Sequence, residues 1–356
     1  MKITIKNPST LLRNNELVEL DFKTVKEKLA LKEGEEFIIR NAGGTQIPYQ
    51  ITSNGCCKET LLLFPATVNG KGSVTYTITK GTPEKFVSKV YGRLVLERKD
   101  DFAWENDKIA FRVYGPALQA TGEISSGIDV WVKRTENLVV NKWYANDLAG
   151  KQSYHNDNGE GLDMYKVGPT LGAGASTPWL DDKFWFSKNF VSCDVLDNGP
   201  LRMTVKLKYA PFSAGSVEVT ETRIISLDAG SQLNKISILY EFNAASLPIV
   251  TGIVTRDSKE EKTFASPDSF FFLHAEPADK EHGTIYEAVV GKKAFEKVET
   301  KNNHILGFQH ITPKIKYTYY QGAGWSKWGF SSFDDWKKYV ADFSEKTQKP
   351  LIVKVK

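Results

Sequence analysis

The runs SVEVTETRIISL (residues 216–227) and NKISILYEF (residues 234–242) decide the fold class. Each alternates apolar and polar residues and outruns the ordinary strand of about 5–6 residues. A period of two sets one apolar face against a core, so both read as long antiparallel strands. The same pattern continues outward through RLVLER (93–98), KIAFRVYG (108–115), IDVWVKR (128–134), SFFFLHAE (269–276), GTIYEAVVG (283–291) and HILGFQH (304–310). The alternation of helix and strand that a parallel sheet requires does not occur. An all-β chain with a large sandwich is expected.

Residues 1–82 also read as short strands (ITI, ELVEL, EEFIIRN, IPYQIT, ETLLLF, SVTYTIT), broken by NAGG, SNG and NGKG turns. This predicts a small N-terminal β-sandwich, with one helix in FKTVKEKLALKEG ended by Gly34. The segment GTPEKF (81–86) marks a boundary, giving domains 1–82 and 83–356. Near the C-terminus, Ser332 and Asp335 fit a capping box, and Phe333, Trp336, Val340 and Phe343 form one helical stripe. LIVKV (351–355) reads as a closing strand.

Against 47 basic residues stand 43 acidic ones, spread along the chain. No basic block suggests a nucleic-acid partner. No run is long enough to span a membrane. Met1 leads straight into KITIKN without an apolar signal core, so a cytoplasmic protein or one whose signal has been removed is expected. Cys56, Cys57 and Cys193 form neither a disulfide framework nor a zinc pattern.

The polar, glycine-rich stretch from Asn141 to Trp179 reads as a long ordered loop lining a site. His155 lies near Asp157, as a general acid or base needs a carboxylate to orient its ring. Tyr165 and Lys166 supply a proton donor and a charge, or else one packs and the other is solvated. Trp143 and Tyr144 offer stacking faces. NDNGEG fails as an EF-hand at either glycine alignment, which leaves a non-standard calcium site from Asp157, Glu160 and Asp163. GAGAST carries Thr177 where a dinucleotide fingerprint needs Gly or Ala.

A second cluster, KDDFAWENDKIAFRVYGP (99–116), sets Trp104, Arg112 and Tyr114 beside Glu105 and Asp107. An aromatic face next to acids and arginine can hold a sugar. The carboxylates could equally be a glycosidase acid and base, or cap a strand beside a buried tryptophan. His274 ends an apolar run, either facing a cleft or satisfied in the core. Trp325, in YYQGAGWSKWGF, suits a stacking platform or a latch over the core.

DDFAWENDKIAFRVYGPAL, GEGLDMYKVGPTLGAG, RIISLDAG and the terminal GAGWSKWG with its helix resemble the bacterial domain-of-unknown-function family 4861, from about Arg93 onward. RIISLDAGSQLNKI is also similar to strands of galactose-mutarotase-like supersandwiches. The resemblance implies a galactose-mutarotase-like β-supersandwich behind the small sandwich, with one C-terminal amphipathic helix. It also implies export to the periplasm or beyond, and an oligosaccharide partner containing uronic acid.

The expected function is lyase (β-elimination) or hydrolase chemistry on such glycans, with a non-catalytic glycan binder or a sugar epimerase or mutarotase as alternatives. For elimination, Lys166 or Arg112 would neutralise the carboxylate while His155 and Tyr165 act as base and acid. For hydrolysis, the candidates are Glu105, Asp107, Glu160 and Asp163. Trp104, Arg112, Tyr114, Trp143, Tyr144, His274 and Trp325 would bind substrate, and calcium is the one cofactor considered.

Overall fold

The computed structural model describes residues 1–53 and 60–356. Cys56 and Cys57 lie outside the described residues. The chain is built mainly of antiparallel strands, as the alternation predicts. In Val217–Asp228 the buried positions are Val219, Glu221, Arg223, Ile225 and Leu227, a strict period of two. Two of those five inward residues are charged.

That strand sits inside a nine-stranded sheet. Its neighbours are Arg202–Lys208 and Leu233–Phe242. Beyond Leu233–Phe242 follow Tyr317–Trp325, Ile285–Gly291, Phe271–Ala275 and Lys262–Ala265. Two five-stranded sheets, one centred on Ile109–Val113 and one on Leu247–Val254, share a continuous apolar core with it. This is the expected supersandwich architecture.

The outer face of the large sheet is covered by the helix Phe333–Gln348. Its Ser332 hydroxyl accepts from the Asp335 N–H, and Trp336 and Val340 bury against Leu273, Ala288 and Val290. Among the described residues no helix is long and apolar enough to cross a membrane.

The N-terminal sheet and a three-stranded sheet enclose a separate core that includes Ile3, Phe37, Leu62 and Phe64. The final strand, Ile352–Val355, pairs with Lys2–Lys6, so both chain ends build this sheet. A boundary at residue 83 therefore leaves one strand of the N-terminal sheet on its far side. The two units are joined by the buried Gln50 amide, which bonds the backbone of Leu201 and Arg202.

The expected loop from Asn141 to Trp179 is corrected at both ends. Val140–Leu148 is an α-helix, because Val140, Trp143 and Tyr144 make a buried stripe at helical spacing. The Glu105 carboxylate accepts from the Val139 and Val140 N–H groups and satisfies its start. Ala173–Leu180 is a buried strand. Its small residues permit close approach to the large sheet: a Cβ on Gly174 would sit 2.4 Å from the Gln321 side chain. Between them the stretch is loop except for the two-residue strand Gly161–Leu162, which pairs with Val132 and Lys133.

Candidate functional site

Arg112 and Asp129 face each other across neighbouring strands. The Arg112 Nη2 lies 2.6 Å from Asp129 Oδ2 and 2.8 Å from Asp163 Oδ2, the latter brought in by the central loop. All three side chains are almost fully buried. The guanidinium lies over Tyr114 and Trp131, each 5.3 Å from ring centroid to carbon. Arg112 and Arg98 both donate to the Tyr154 hydroxyl, at 3.3 and 3.2 Å. Burial and the adjacent Asp129 push the Asp163 carboxyl well above the usual range, so the pair favours holding a proton beside Arg112.

A cavity of about 520 Å³ opens on this cluster, walled by Arg98, Lys99, Arg112, Tyr114, Glu123 and Pro169. The three cations and one phenol make it a cradle for an anionic, hydroxylated ligand. Burial drives the Tyr114 hydroxyl pKa up, keeping the phenol protonated. Burial likewise raises the nearby Asp101 carboxyl to about 6, against the pull of Arg112 and Arg98. Lys99 and Asp100 are both left-handed, with φ of 55° and 58°. Two such non-glycine residues in succession store backbone strain at the mouth of the cavity.

The central loop links this cluster to a second one. His155 stays outside, its Nδ1 3.0 Å from the Asp163 carbonyl and its side chain 55% exposed. Tyr165 turns the other way, under Arg256 (5.0 Å from its ring) and beside Glu276 and Glu287. Lys166 is exposed. His274 is fully buried, with Nδ1 3.0 Å from Glu287 and Nε2 3.1 Å from Glu261. Burial alone would lower its pKa, but the carboxylates outweigh that and lift it to about 9, while burial lifts Glu287 to about 8.

Several expected roles are corrected by burial. Trp104 has no exposed face for a sugar, and its Nε1 donates to Asn234 at 2.7 Å inside the core. Trp143 and Tyr144 pack on Trp131. Trp325 is only 2% exposed, and its Nε1 donates to the His282 carbonyl. Glu105 is committed to Lys133 at 2.7 Å and to the helix start, and Asp107 accepts from the Gly230 N–H at 2.7 Å. His274 is set between two carboxylates in the core and does not line the cavity, so it does not face a sugar there.

The expected calcium ligands are also corrected. Asp157 pairs with Arg134, Glu160 with Lys142 and Asp163 with Arg112, each at 2.8 Å. Three separate cations already neutralise them, so they do not converge on one ion. Of the expected residues, Arg112 and Tyr114 line the cavity, Asp163 lies behind Arg112, and His155 sits outside it next to Asp163. Arg98, Lys99 and Glu123 were not anticipated: in sequence they are ordinary charges, and only the fold turns them toward one space.

The whole chain superposes on two solved structures from Enterococcus faecalis. One is a protein in glycosyl hydrolase family 38 (TM-score 0.56, 9% identity, 99% of this chain and 47% of that one). The other is an alpha-mannosidase (TM-score 0.51, 8% identity, 99% and 45%). The chain spans about half the length of these structures, and at such identity they establish a shared β-rich fold. An uncharacterized protein of Formosa agariphila is 31% identical over 373 residues, covering 99% of this chain and 93% of that one. Residues 5–353 match the family described as Domain of unknown function (DUF4861), and the chain belongs to it.

Proposed function

We propose that this protein is a carbohydrate-active enzyme that cleaves uronic-acid-containing oligosaccharides by β-elimination in the Arg98–Lys99–Arg112 cavity. The observation that carries the reading is the cavity wall itself: three cations and a half-buried, protonated tyrosine around a space large enough for a sugar ring. Arg98 and Lys99 would hold the uronate carboxylate and stabilise the charge that develops when its α-proton leaves. Glu123 would take the C5 proton, the C4–O bond would break, and the Tyr114 hydroxyl would protonate the departing oxygen. A C4–C5 double bond results.

Elimination is favoured over hydrolysis because the wall carries one carboxylate, Glu123, whereas glycoside hydrolysis ordinarily needs two facing each other. Asp129 and Asp163 are held by Arg112 behind the wall.

The test is incubation with an acidic oligosaccharide panel in ¹⁸O-labelled water, followed by mass spectrometry. Unsaturated products without heavy oxygen are expected, and Lys99→Ala should weaken binding of acidic ligands about 10-fold, the loss of one charge-assisted contact. Heavy oxygen in the products would move the chemistry to hydrolysis. Retained ligand without cleavage would make the protein a glycan binder.

A further inference from the structure

On the opposite side of the central loop, His274 and Glu287 occupy facing positions of neighbouring strands. Glu276 follows one of those strands directly. One donor atom from each of the three lies within 4.8 Å of the others. Glu287 is fully buried, yet its Oε1 has no hydrogen-bond partner, and the same holds for the hydroxyl of Tyr165, which is 7% exposed. An unpartnered carboxyl oxygen in the core costs free energy unless a ligand meets it.

We propose that His274, Glu276 and Glu287 form a binding site for a divalent cation of the zinc or manganese class, with the Tyr165 hydroxyl beside it. One imidazole nitrogen and two carboxylate oxygens suit such ions better than calcium, which takes six to eight oxygens. Donors around one tetrahedral zinc lie about 3.4 Å apart, so donor atoms up to 4.8 Å apart need to close by up to about 1.4 Å. The surroundings orient the donors. The Glu287 carbonyl accepts from Trp336 Nε1 at 3.0 Å, which fixes the strand from behind. Arg256 holds Glu276 through bonds of 2.8 and 2.9 Å to its two oxygens, orienting that ligand while leaving lone pairs free. Glu261 bonds the outer nitrogen of His274 and fixes the ring, the usual arrangement for a ligating histidine.

This site goes beyond the cavity's proposed chemistry and is tested without any substrate. The full chain is stripped with a chelator, reloaded with zinc or manganese, and its metal content measured by mass spectrometry alongside its thermal midpoint. About one equivalent per chain and a midpoint raised by the ion are expected. Glu287→Gln and Glu276→Gln should each drop the content below about 0.2 equivalents. Glu276 is partly exposed, so its variant decides the matter if the buried Glu287 variant does not fold. No retained metal in the reloaded chain, or undiminished metal in Glu276→Gln, overturns the proposal.

Discussion

The two buried polar clusters are built from the same parts and balance their charges differently. Around Arg112, two carboxylates and two tyrosines gather with a guanidinium, and a cavity opens on the group. Around Arg256, one carboxylate is paired while two others grip His274 in the core. Tyr165 lies close enough to both groups to feel Asp129 on one side and Glu287 on the other. The first cluster spends its carboxylates on its own arginine and leaves Arg98 and Lys99 free for an anion. The second has more carboxylate oxygen than its cations satisfy, which favours a metal. Residue type alone does not set function; the local balance of charge does.

The sharpest way to break this contrast is to remove each arginine. Arg112→Leu strands two buried carboxylates and should cost about 3–5 kcal/mol in denaturant unfolding. Arg256→Leu leaves a partly exposed Glu276 and should cost about 1–2 kcal/mol. Equal losses would show that the Arg112 cluster is not the more deeply committed one.

Asp101 sharpens the comparison through pH. Its folded-state pKa of about 6 lies above the ordinary 3.8, so the native state holds the proton more tightly. Its contribution to stability is fully present below pH ~4 and is lost as pH rises to ~6, a fall of roughly 3 kcal/mol. Asp101→Asn should flatten that part of the stability curve; an unchanged slope would place Asp101 in a more solvated setting. The smallest effect is expected at His155, where the exposed side chain predicts a change within about 0.5 kcal/mol for His155→Ala. A cost above 2 kcal/mol would mean that it anchors Asp163.

Much of the fold was legible because alternation is local. SVEVTETRIISL announces its own buried face, and Ser332 with Asp335 announces the last helix. The helix Val140–Leu148 is not legible locally because its start depends on Glu105, 34 residues earlier, accepting its first N–H groups. Trp104 and Trp325 each admit a sugar platform and a buried core role in sequence, because sequence does not say how deep an aromatic lies. A usable signal was present for the second cluster: Glu287 stands at an inward phase of GTIYEAVVG, where an apolar residue belongs.

The sequence by itself determined that strands form, which faces turn inward and where the amphipathic helix lies, since each follows from the periodicity of neighbouring residues. Only the tertiary structure decided which inward charges meet. Arg112 finds Asp129 through strand register and Asp163 through a loop 51 residues on, and His274 finds Glu287 across a sheet. Electrostatic pairing acts over a few ångströms of space, and that distance is set by chain geometry that no local pattern records.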